Sequence, residues 1–120
     1  VEFDFYDVND DIVTIAKSIR YSLGDIFNRY SEYTFDGDDK RIEVDLKLLK
    51  FKLLLLKDIC STYKPSIRYE QANAVHSFIQ CCETTIRFVK LPSTAYHVER
   101  MEEQRDRFLD VCELLQKTFR

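Results

Sequence analysis

The sequence predicts an all-α protein, an antiparallel up-down four-helix bundle with a short extended N-terminal arm. Three observations carry that expectation. Apolar residues recur in steps of four and three through most of the 120 residues, which is the spacing of one face of a helix. Two glycines and two prolines are too few for the many turns of a sheet protein. Both prolines, Pro65 and Pro92, fall where one apolar series ends and the next begins, so they read as helix breaks. A chain of this length holds one sizeable core, hence a single domain over residues 1–120. Its parts are an acidic arm over 1–8 and helices over approximately 9–33, 41–63, 66–91 and 94–119. Each helix of about 24 residues is roughly 36 Å long, and short connections make sequence neighbours pack side by side.

The arm alternates apolar and acidic residues, with Val1, Phe3 and Phe5 on one side, the period of extended chain. Asp7 or Asn9 caps the first helix, and Asp10 and Asp11 occupy its positive first turn. Its seam runs Ile12, Ala16, Ile19, Leu23, Ile26, Tyr30, Tyr33, widened by Val13, Ile15 and Phe27. Gly24 weakens the middle by about 1 kcal/mol relative to alanine.

The second helix carries two apolar series. One is Ile42, Leu46, Leu49, Leu53, Leu56, Cys60, Tyr63. The other, Val44, Leu48, Phe51, Leu55, lies about 200° around the axis. A helix that is apolar on both sides needs a cover on both sides. Residues 31–46 also admit a β-hairpin, with Asp36-Gly37 as the turn and alternation from Ile42 to Leu48. The four-three register, unbroken from Ile42 to Tyr63, favours the helix. In the third helix, begun by Pro65 or Ser66, the seam is Ala72, Val75, Ile79, Cys82, Ile86, Val89, with Phe78 beside it. In the fourth, capped by Ser93, it is Val98, Met101, Arg105, Phe108, Cys112, Leu115, Phe119. Arg105 is the one charged member, either a buried polar contact that fixes register or a side chain running along the seam edge to water.

Charge and cysteine usage narrow the function classes. Five acids and no base in the first eleven residues of a chain of net charge −3 leave the remainder at +2, which is no basic footprint for nucleic acid. The longest uninterrupted apolar run is Leu53 to Leu56, so no membrane span and no signal peptide are expected. The first residue is Val1 rather than Met, and the sequence reads as a processed or excised segment. Cys60, Cys81, Cys82 and Cys112 all fall in predicted helices, where free cysteine behaves as a small hydrophobe. The compartment expected is reducing and cytoplasmic.

Catalytic and metal motifs fail on spacing. Neither His76 nor His97 follows a glutamate by three, as a di-iron bundle requires. Cys81 and Cys82 are adjacent and diverge by about 100° on a helix, which disfavours a shared zinc. His97-Val98-Glu99 lacks the downstream cysteine pair of the zinc deaminases. His76 and Cys82 stand about 9 Å apart along their helix, out of hydrogen-bond reach. Seven residues separate Arg68 from His76, too many for the arginine–histidine pairing of helical RNases. Gly24 and Gly37 are isolated, so no phosphate loop exists. The chain is therefore expected to be non-catalytic, without cofactor or metal.

The functional expectation is an interaction or assembly module that binds itself or a partner helix through Val44, Leu48, Phe51 and Leu55, most simply as a homo-oligomer. Folding back of the Val1–Phe5 arm is the internal competitor for that face. The alternative is a nucleic-acid-associated four-helix accessory protein using Lys40, Lys47, Lys50, Lys57 and Lys64 against phosphate.

Overall fold

A computed structural model describes residues 8–31, 40–89 and 95–119, with the side chains of 29–31, 40–42 and 95–98 outside the description. Four helices account for nearly all of it: α1 (Val8–Ser31), α2 (Lys40–Thr62), α3 (Tyr69–Val89) and α4 (Ala95–Thr118). The arm of Val1, Phe3 and Phe5 and the turn pair Asp36-Gly37 lie outside the described residues. Val8, assigned to the arm by its sequence, is instead the first residue of α1 and is buried. The hairpin reading fails over its second half, because α2 is helical from Lys40. The unbroken four-three register prevails there over a short stretch of alternation.

The third helix starts later than its prolines imply. Lys64–Ser66 form a 3-10 turn with Pro65 in its first positions, closed by bonds from Ser66 N–H to the Tyr63 carbonyl (2.9 Å) and from Ile67 N–H to the Lys64 carbonyl (3.2 Å). Extended Ile67 (φ −111°, ψ 127°) then reverses the chain, and α3 begins at Tyr69. Gln71, three residues past the cap position, accepts a bond from Arg68 N–H at 3.2 Å, half of a capping box. Tyr63, placed on the α2 seam by its sequence, sits past the helix end and is exposed.

The order of contacts along each helix pair gives the topology. Phe27 meets Phe108 while Val13 shares a cleft with Phe119, so residue numbers run oppositely along α1 and α4. Phe78 meets Phe108 and Thr85 meets Gln104, so α3 and α4 are antiparallel. Lys57 bonds Glu83 while Lys50 shares a cleft with Arg87, so α2 and α3 are antiparallel too. The helices pair unequally. α3 packs most closely on α4 and α1 on α2, whereas α2 barely meets α3. A single apolar cluster draws on all four helices, led by Ile12, Ile19, Leu23, Leu49, Leu56, Phe78 and Phe108.

Two seams are rotated from their sequence reading. On α4 the polar member is Gln104, which is buried, and Arg105 is exposed. Both lie about 50° from the centre of the seam, on opposite flanks. The Gln104 flank faces α3, the closest neighbour. Its Nε2 donates to Thr85 Oγ1 (3.2 Å), the Cys81 carbonyl (3.3 Å) and Cys81 Sγ (3.4 Å), while Thr85 Oγ1 donates to the same carbonyl at 2.8 Å. On α3 the buried arc turns toward that same neighbour, taking in Ala74, Phe78 and Thr85 and leaving Ala72 exposed.

Two substitutions test this packing. A Cβ on Gly24 meets no atom within 4 Å, so Gly24→Ala is expected to raise stability by about 0.5–1 kcal/mol. Urea unfolding followed by circular dichroism checks it. Gln104→Ala removes the clasp and is expected to cost about 1–3 kcal/mol. Gln104→Leu is expected to cost less, because leucine fills the volume that alanine leaves empty, while Thr85 keeps its own bond to the Cys81 carbonyl. An equal loss in both variants would mean that the polar contact, not volume, governs the site.

Candidate interaction surface

The two apolar series of α2 meet different fates. Leu46, Leu49, Leu53 and Leu56 are buried against the bundle, with Ile59 and Cys60 half-buried beside them. The opposite series stays open to solvent: Val44 is 55% exposed, Leu48 54%, Phe51 68% and Leu55 43%. The bundle needs only one face of α2, and its thin contact with α3 covers none of the other. Leu54, 63% exposed, was assigned to neither series by its spacing. It lies about 60° from Phe51 and widens the open face toward α3. The run Leu53–Leu56 was its signal, since four consecutive apolar residues span more than one helix face.

Beyond Leu54 the open face merges into a cleft of about 360 Å³ between α2 and α3, lined by Lys50, Leu53, Leu54, Lys57, Glu83, Ile86 and Arg87. The lysines proposed from the sequence differ in their surroundings. Lys57 forms an ion pair with Glu83. Lys47 and Lys50 are exposed on α2, Lys64 is exposed in the 3-10 turn, and Lys40 opens α2 with its side chain outside the description. On the other flank Lys52 Nζ donates to Ser22 Oγ at 3.1 Å and ties α2 to α1.

Among the described residues no three His, Cys, Asp or Glu side chains converge to hold a metal ion. His76 is exposed on α3. The four thiols are free, and burial raises the titration of every one. Cys82 is pushed furthest, by desolvation first and then by the neighbouring thiols and Glu83. Cys112 is pushed up to about 12 by desolvation, against the opposing charge of Arg20. Such thiols are poor nucleophiles near neutral pH. No described helix is long and apolar enough to cross a membrane. Compared with family models, curated proteins and solved structures, the chain matches none.

The thiols have a consequence for stability. In the unfolded chain these protons leave near pH 9, whereas the fold holds Cys112 protonated to about 12. Within that window the unfolded state binds fewer protons, so stability is expected to fall as pH rises above 9. Below 9 the thiols leave it unchanged. Urea midpoints at pH 8 and pH 10 measure the fall, and Cys82→Ala with Cys112→Ala is expected to make it shallower.

Proposed function

We propose that this chain is a non-catalytic assembly module that pairs with a second copy of itself through the outer face of α2. The observation that carries the reading is the row Val44, Leu48, Phe51, Leu55, four large apolar side chains each more than two-fifths exposed. Contiguous apolar patches of this kind mark interaction sites. Their four-three-four spacing is a short coiled-coil seam. It is also self-complementary: about a two-fold axis near Phe51, Leu48 of one copy stands opposite Leu55 of the other. Four raised thiols fit a non-catalytic role, and free thiols suit a reducing, cytoplasmic compartment. Lys57 is engaged with Glu83 and the chain is acidic overall, which makes the lysine flank the weaker surface.

Magnitudes decide what kind of dimer to expect. Fully burying such a side chain contributes about 1.5–3 kcal/mol, and each is already about half covered. Eight of them across a symmetric interface give roughly 10 kcal/mol gross. That is comparable with the cost of association, about 4–15 kcal/mol, so the dimer should depend on concentration.

Light scattering behind a sizing column, over a hundredfold range of concentration, is expected to show mass rising from 14.3 kDa toward twice that value. Leu48→Asp with Leu55→Asp is expected to hold the chain monomeric with its helicity intact. A monomer at every concentration in the unaltered chain would overturn self-pairing. Unfolding of the double variant would mean that the face belongs to the core.

A further inference from the structure

On the side of the bundle away from α2–α3, a cleft of about 250 Å³ opens between α1 and α4. Val13, Ala16, Lys17 and Arg20 line it from α1, and Cys112, Leu115 and Gln116 from α4, with Phe119 just past the end of α4. Both sets have the spacing i, i+3, i+4, i+7 of a single helix face. The antiparallel register sets Val13 beside Phe119 at one end and Arg20 beside Cys112 at the other. Phe78 of α3 closes the floor. The space exists because the seams are narrow here, with Ala16 on α1 and Cys112 on α4 where neighbouring turns carry Ile12, Ile19, Phe108 and Leu115. Its volume is about that of eight waters, beyond a packing void and near the lower end of ligand pockets.

The polar members of the lining point to the chemistry of a ligand. They are two cations, Lys17 and Arg20, and the amide Gln116, with no carboxylate, in a chain whose acids outnumber its bases. The remaining six lining residues are apolar. We propose that this cleft binds a small amphiphilic anion, with its carboxylate between Lys17 and Arg20 and its apolar body lying along Ala16, Phe78, Leu115 and Phe119. From Val13 to Arg20 the cleft runs roughly 10 Å, which sets the body at the length of a medium-chain alkyl or a single aryl group. Arg20 lines the end of the cleft that Cys112 also lines, which sets a cation where the head would be drawn. This site is separate from the outer face of α2, and neither depends on the other.

Nuclear magnetic resonance titration of the full chain with octanoate tests the site, with octanol as the uncharged control. Saturable shifts are expected at Val13, Ala16, Arg20, Cys112 and Leu115, with octanol at least about tenfold weaker, the factor of one charge-assisted hydrogen bond. Arg20→Gln is expected to weaken octanoate by about tenfold and leave octanol unchanged. Ala16→Leu, which fills the cleft, is expected to abolish both with helicity retained. If Ala16→Leu fails to fold, the Arg20→Gln comparison still decides. Equal affinity for octanoate and octanol would overturn the anion site. So would shifts confined to Leu48, Phe51 and Leu55, or the absence of saturation up to the solubility limit.

Discussion

Phe108 stands where three helices meet, its ring centroid 5.9 Å from Phe78 on α3 and 5.8 Å from Phe27 on α1. Tilted aromatic pairs at this distance add to the apolar area they remove from water, and Phe78 and Phe108 are among the most deeply buried side chains. The contact locks α3, α4 and α1 into one body. The Gln104–Thr85–Cys81 clasp lies one turn away on the same α3–α4 interface and sets its register. α2 has no share in either contact. It is held by the leucine seam it turns toward α1, by one bond from Lys52 to Ser22 and by a surface ion pair from Lys57 to Glu83. An exposed ion pair contributes little, so the leucines carry the attachment.

That asymmetry underlies the proposed function. A helix attached along one stripe and apolar on two stripes leaves the second to solvent or to a partner. The same unequal packing leaves the α1–α4 interface looser than α3–α4, and at Ala16 and Cys112 it does not close. The open face and the cleft are two outcomes of one cause, a bundle whose interfaces are not equally filled. They differ in chemistry. The face is broad and convex, suited to another helix, whereas the cleft is concave and carries two cations without a carboxylate, suited to a small anion.

Much of this was legible from residue order. The four helices, the helical start of α2 and the division of its leucines into a buried and an open row follow from periodicity alone. Arg105 and Gln104 show where periodicity stops. Each lies about 50° off the seam axis, so the pattern cannot choose between them, and the neighbour on one flank does. Ala72 was misplaced for the same reason, since α4 draws the buried arc of α3 toward Phe78 and Thr85. Val8 was read as arm because Asn9 offered a cap for the first helix, although α1 begins at Val8 and buries it. Leu54 escaped notice because a run of four leucines has no phase of its own.

By itself the sequence determined how many helices there are, roughly where each runs and which side of each is apolar. A helix fixes the angle between residues at about 100°, so facing is a local property. Which flank meets which neighbour, how tightly, and where a gap remains were decided only in the tertiary structure. Those depend on side-chain volumes brought together from distant segments: Gln104 against Thr85, Ala16 against Leu115 and Cys112. The spacing within any one helix does not contain that information.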